Sequence, residues 1–168
     1  TQSLGERNIR RKPMSRLRQT IANRLLDAQH SAAILSTFNE VDLSEVMALR
    51  KRYSEAFEAR YTVRLGYMSF FVRACVEALQ AFPLVNAQID GTDVLYHDYF
   101  DIGIAVSPPR GLVVPVLRDA NTKRFSEIDQ ESAKFGDKAK NGTLAMEELT
   151  GGTFTITNGG VFGSLLPT

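Results

Sequence analysis

Apolar side chains recur at helical spacing in several stretches of the chain and alternate with polar ones between them. Met14, Leu17, Ile21, Leu25 and Ala28 keep a helical period after Pro13, a residue suited to a first turn. This spacing predicts an amphipathic helix running to about Asp27. Ile34 to Leu43 alternates and is rich in β-formers, which predicts a strand. Ser44 then reads as an N-cap, and Val46, Leu49, Tyr53, Ala56 and Phe57 as one face of a second helix ending near Arg60. Met68 to Ala81 is a third helix, apolar on most of its surface and so expected to be central; Pro83 ends it.

A β-rich region follows. Asn86–Ile89 and Val94–Tyr96 flank Asp90-Gly91, a hairpin signal. Asp101–Val106 predicts a strand with Ile102, Ile104 and Val106 on one face. Pro108-Pro109-Arg110-Gly111 predicts a turn, and Leu112–Leu117 a strand whose Pro115 implies an edge or a bulge. Ser126 and Asp129 have capping-box spacing before a helix over Ile128–Lys140, which Asn141-Gly142 closes. Thr143 is expected to cap a short helix over Ala145–Leu149. Thr153–Asn158 alternates hydroxyl and apolar residues and predicts a final strand running into Gly159-Gly160. The sum is a mixed α/β domain with helices packed on one sheet.

Composition changes this picture little. The 168 residues are 43% hydrophobic and 23% charged, enough for a buried core. A net charge of +1 argues against wholesale nucleic-acid binding. The charge is uneven: Arg7, Arg10, Arg11, Lys12, Arg16, Arg18 and Arg24 face one acid, Glu6, up to Arg24. Residues 1–12 read as a linker or arm, its basic residues either solvated or laid on an acidic partner. Without aromatic residues among those charges, a nucleic-acid role is disfavoured. Cys75 is the only cysteine, so there is neither a disulfide framework nor a Cys-based metal site, and the thiol is expected in the core. No run approaches the ~18 apolar residues of a membrane span, and a reducing compartment suits the composition.

Four motifs in register carry a resemblance to a known family. They are Thr37-Phe38-Asn39-Glu40-Val41-Asp42, Leu65-Gly66-Tyr67-Met68-Ser69-Phe70-Phe71, Val106–Val116 and Gly151–Ser164. Together they resemble the catalytic core of the dihydrolipoamide acyltransferases, from about Lys12 to Ser164, and favour the succinyl branch. The resemblance implies a two-layer α/β sandwich like that of chloramphenicol acetyltransferase, a mixed sheet with helices packed on one face. It implies a linker over 1–12 and the catalytic core over 13–168. It also implies a homotrimer that assembles into a twenty-four-subunit cube, with coenzyme A and a dihydrolipoyl arm entering opposite ends of a channel between subunits. Its partners would be a separate lipoyl domain and the 2-oxoglutarate decarboxylase and dihydrolipoamide dehydrogenase components, in a bacterial cytoplasm or a mitochondrial matrix. No metal and no membrane enter this scheme.

The implied reaction moves a succinyl group between two thiols. A thiol with a pKa near ~8.5 needs a base to become the nucleophilic thiolate. The tetrahedral oxyanion formed by its attack needs a positioned donor. By the resemblance, Thr157 is that donor, and Arg50, Ser107, Thr157 and Asn158 contact coenzyme A. Arg110 is a candidate partner for the succinyl carboxylate. The plainer readings are a helix-surface Arg50, a turn Ser107, an exposed turn Arg110, a strand-capping Asn158 and a simple β-former Thr157. Gly159-Gly160 is no phosphate loop, since no Lys-Ser/Thr follows it. The family's base is the histidine of a His-x-x-x-Asp-Gly motif, which does not occur here. The two histidines are His30, at a helix end, and His97, after the hairpin. The expectation is a core that lacks its C-terminal part, with open strand edges, and that is inactive by itself. The alternatives are an inactive assembly scaffold of this family or a chloramphenicol-type small-molecule acetyltransferase.

Overall fold

The computed structural model describes residues 10–108, 111–160 and 163–164, without the side chain of Leu17. Glu6 and Arg7 of the arm, Pro109 and Arg110 of the proline turn, and Val161 and Phe162 of the last motif lie outside the described residues. The chain divides into two units, one of Thr1–Asn39 with Thr168 and one of Glu40–Pro167.

The first unit holds helix α1 (Arg16–Ser31). Ser15, not Pro13, sets its start, because its Oγ accepts the Arg18 N–H at 3.4 Å. The helix continues past Asp27 and carries His30 in its last turn. The strand expected over Ile34–Leu43 does not form. A strand needs a ladder partner, and none pairs with this stretch among the described residues; Ile34, Leu35, Phe38 and Val41 stay exposed.

The second unit begins with α2 (Ser44–Tyr61). Its cap is supplied by Asp42 rather than Ser44: one carboxylate oxygen accepts the Ser44 hydroxyl at 2.6 Å and its N–H at 2.9 Å. Those two bonds hold the Asp42 carboxyl below the usual carboxylate range. Helix α3 (Met68–Ala81) keeps its predicted limits but buries only one face, through Ser69, Val72, Val76 and Leu79. Cys75 lies off that face and is half-buried, not a core thiol. After a 3₁₀ turn at Pro83–Asn86, β1 (Ala87–Asp90) and β2 (Asp93–Tyr96) form the predicted hairpin. Asp90 pairs with Asp93, so the loop residues are Gly91-Thr92, and Gly91 takes the left-handed φ of 58° that the tight turn demands.

A separate three-stranded sheet carries the rest: β3 (Ile102–Ile104), β4 (Val116–Leu117) and β5 (Phe154–Ile156) in the order β4-β3-β5. β4 runs antiparallel and β5 parallel to β3. The strand predicted over Leu112–Leu117 is cut by Pro115 into an isolated Val106–Val113 bridge and β4. Pro115 has no N–H to give, yet its carbonyl accepts the Ile104 N–H at 2.8 Å, which keeps this edge aligned. Helix α4 (Phe125–Asn141) starts earlier than expected. Its box uses Glu127, whose carboxylate accepts the Arg124 N–H at 2.7 Å; Ser126 and Asp129 are buried instead. Gly142 closes the helix with a left-handed φ of 69°. Thr143 joins that closure, donating its N–H to Lys138 O at 2.9 Å, and caps nothing; Glu148 accepts the Ala145 N–H to start the 3₁₀ turn Met146–Leu149. The core lies between α3, α4 and the sheet: Val72, Val76 and Leu79 meet Ile102, Ile104, Leu117, Ile128 and Phe135. The layered α/β arrangement is therefore the one expected.

Candidate functional site

Everything that places Thr157 begins at Asp101, one residue before β3. Its carbonyl accepts the Thr153 N–H at 2.8 Å, which starts β5 beside β3. Its buried carboxylate accepts Arg118 Nη1 at 2.7 Å and the Asp119 N–H at 2.9 Å. The same guanidinium donates to the carbonyls of Glu147, Thr150 and Gly151, tying down the turn that feeds β5. β5 then pairs with β3 through Ile156, whose carbonyl accepts the Ala105 N–H at 3.0 Å. The predicted strand ends there, so Thr157 and Asn158 leave the sheet as exposed residues beyond its last ladder bond. The Asn158 Oδ1 accepts the Gly160 N–H at 3.1 Å, and Gly163 and Ser164 donate back to the carbonyls of Gly160 and Gly159. The glycines thus fold the chain back on itself directly after the hydroxyl.

Two cavities share this point. One, of about 580 Å³, is lined by Ile104, Val106, Ser107, Leu112 and Ser132. The other, of about 630 Å³, is lined by Leu43, Tyr67, Phe71, Ile156 and Ser164. Met68, Thr157, Asn158 and Gly159 line both. The Thr157 hydroxyl has no hydrogen-bond partner among the described residues, and neither cavity wall carries a charged side chain. A free hydroxyl in a largely apolar wall is a donor whose field is not weakened by competing charges.

Arg50 occupies a third cavity, of about 400 Å³, with Lys51, Ser54 and Tyr67. Its Nε donates to Leu65 O at 2.9 Å, and its guanidinium stacks on the Tyr67 ring at 3.8 Å. The terminal nitrogens have no partner among the described residues, leaving a planar fork suited to a phosphate. Tyr67 lines both this basic cavity and one of those at Thr157, so it connects them. The structure therefore brings together Thr157, Asn158 and Ser107 in one cavity and links Arg50 to them through Tyr67. Arg110 lies outside the described residues.

Sequence reasoning passed over Tyr67 and Met68 as site residues, and over Asp129 as anything but a cap. No local pattern marks Asp129; the fold brings it against Gly66, where a Cβ would stand 2.9 Å from Asp129 Oδ1, so the absent side chain lets the carboxylate approach. The Asp129 Oδ2 accepts the Gly66 N–H at 2.9 Å and the Ser69 hydroxyl at 3.0 Å. Burial pushes its carboxyl above the usual range, against the opposing pull of those bonds and of Arg50.

Within the second unit His97 does not line the site, its Nδ1 lying 2.7 Å from Asn86 O beside the hairpin, and His30 is on α1 of the first unit. Among the described residues no cluster of three His, Cys, Asp or Glu could hold a metal, and no helix is long and apolar enough to cross a membrane. A further apolar cavity of about 410 Å³, lined by Tyr53, Phe57, Tyr61, Phe70 and Phe125 among others, shares no residue with those at Thr157.

Residues 6–168 match the family model described as 2-oxoacid dehydrogenases acyltransferase (catalytic domain). The chain is 59% identical over 166 residues to the dihydrolipoyllysine-residue succinyltransferase component of the 2-oxoglutarate dehydrogenase complex of Cupriavidus necator, and 57% over 162 residues to that of Escherichia coli. These alignments cover 99% and 96% of this chain but 40% of each relative, so the chain spans about two fifths of their length. Among solved structures, a probable dihydrolipoamide acetyltransferase of Listeria monocytogenes superposes with a TM-score of 0.85 at 29% identity, covering 98% of this chain and 69% of that one. The cubic core of the pyruvate dehydrogenase multienzyme complex gives 0.81 at 28% identity, covering 89% and 62%.

Proposed function

Because the chain belongs to the acyltransferase family of the 2-oxoacid dehydrogenases, within its catalytic domain, we propose that it transfers a succinyl group between dihydrolipoyl-lysine and coenzyme A. The observation that carries this reading is the Thr157 hydroxyl, without a partner among the described residues, at the wall common to two cavities. Two thiol substrates can then approach one acyl carbon from different sides. As the thiolate of one forms its bond to the carbonyl carbon, the carbonyl oxygen gains charge and accepts from Thr157 Oγ. Collapse expels the other sulfur as thiolate and restores the carbonyl.

Arg50 and Lys51 form the basic cavity that takes the phosphates of coenzyme A, and Tyr67 leads from there toward Thr157. Asn158, with Oδ1 committed to Gly160, offers its amide N–H groups, and Ser107 its hydroxyl, to the substrate beside Thr157. The walls of these two cavities offer no imidazole, carboxylate or amine, so the base is not one of the residues that line them. We place the protein in a 2-oxoglutarate dehydrogenase complex, as an oligomeric cytoplasmic core that receives the lipoyl group from a separate lipoyl domain. The Cupriavidus and Escherichia relatives named as that component support this placement.

Succinyl transfer by the intact protein from succinyl-coenzyme A to dihydrolipoamide tests the reading. Thr157→Ser keeps a hydroxyl and should retain most of the rate, whereas Thr157→Val should lose on the order of 10²-fold or more. Equal rates for the two variants would contradict it.

A further inference from the structure

Asp129 is a buried carboxylate on α4 that the transfer chemistry does not use. It accepts from two donors on another element: the Gly66 N–H and the Ser69 hydroxyl. Between those anchors sit only Tyr67 and Met68. Tyr67 stacks on Arg50, and both Tyr67 and Met68 line a cavity at Thr157. Leu65, the residue before the first anchor, presents the carbonyl that accepts Arg50 Nε. One carboxylate therefore holds the entry to α3, whose residues fix the plane of the Arg50 guanidinium and part of the wall beside the reacting atoms.

We infer that Asp129 is a positioning residue for coenzyme A recognition: it clamps the Gly66–Ser69 segment at the start of α3 so that Tyr67 holds Arg50 toward the phosphate cavity. This rests on the reading of Arg50 given above. The carboxylate stabilises the first turn of α3 as well, and what separates a positioning role from that is its effect on the two residues held between its donors. The feature that the charge supplies is strength: two charge-assisted bonds converge on one oxygen, Oδ2, and pin both ends of the segment. Gly66 belongs to the same device, since any side chain there would push against Asp129 Oδ1.

The test uses the intact protein and coenzyme A itself. Asp129→Asn preserves shape and can keep one acceptor oxygen, but it removes the charge that strengthens both bonds converging on Oδ2. It should weaken coenzyme A binding by about tenfold or more, measured by calorimetry. The KM for dihydrolipoamide and kcat at saturating substrates should stay within about twofold of wild type. In an Arg50→Ala background, Asp129→Asn should add nothing further to the loss of affinity, because both act through one contact. Should Asp129→Asn fail to fold, Ser69→Ala decides, removing one donor and leaving the charge; it should weaken coenzyme A binding in the same direction. Normal coenzyme A affinity in folded Asp129→Asn or Ser69→Ala, beside an Arg50→Ala that binds poorly, would overturn the inference. Normal affinity in Arg50→Ala would instead overturn the underlying reading of Arg50.

Discussion

Thr157 owes its availability to what surrounds it rather than to anything in threonine itself. A threonine inside the ladder would pack as a β-former; one residue past Ile156 its hydroxyl has no partner among the described residues. The alternation of hydroxyl and apolar residues, followed by glycines, made that position legible in the sequence. Asp129 was illegible, because its partners Gly66 and Ser69 lie about sixty positions away and no local pattern marks a long-range acceptor. Its spacing from Ser126 suggested a local cap, and tertiary burial overrode it. Burial raises the Asp129 carboxyl, so folding favours its protonated form. Its contribution to stability is full below the ordinary carboxylate value and is lost as pH rises through the raised one. Thermal melting against pH should therefore show a downward slope in that window that Asp129→Asn lacks; identical slopes would contradict this account. Burial likewise raises the Cys75 thiol. Alkylation of native Cys75 at mildly alkaline pH should run slower than that of the unfolded chain, and an equal rate would show an unshielded thiol.

At the scale of elements, helices were easier to read than strands. α3 and α2 follow from apolar spacing and nearby Pro83, and the hairpin from its glycine turn. The stretch over Ile34–Leu43 has the composition of a strand but no neighbour to pair with, and sequence pattern cannot supply one. β4 shrank because Pro115 interrupts it, and the capping of α4 and α2 shifted to Glu127 and Asp42 because acceptor reach, not residue type alone, decides a cap. The sheet that aims Thr157 depends on the Arg118 brace. Arg118→Ala should leave the buried Asp101 carboxylate short of a partner and cost about 1–3 kcal/mol by denaturant unfolding. It should also lower turnover, since β5 loses the turn that feeds it; unchanged stability would mean that the brace is dispensable. Gly103 shows the same tightness: a Cβ there would meet Val114 Cγ1 at 2.9 Å and Thr155 Oγ1 at 3.1 Å. Gly103→Ala should destabilise by about 1–3 kcal/mol through overpacking, read in the same unfolding experiment.

For the molecule as a whole, the buried core is concentrated where α3 and α4 meet the three-stranded sheet, and a broad apolar surface remains elsewhere. Phe82, Leu84, Val85, Ile89 and Tyr96 are all exposed around the hairpin and its preceding 3₁₀ turn. Such a surface fits a subunit that buries it against other copies. Val85→Glu combined with Ile89→Glu should lower the assembled mass seen by light scattering, and an unchanged mass would remove this surface from assembly. The family was legible because four motifs keep their order along one chain. The position of Arg50 beside Tyr67 was not, because it exists only once α2 and the segment entering α3 have packed. The most direct check of the whole account is the Thr157→Ala variant of the intact protein, with kcat for succinyl transfer measured beside the dissociation constant of coenzyme A. The account predicts turnover lowered by about 10²-fold or more with coenzyme A bound nearly as tightly as before. A near-normal kcat would contradict it.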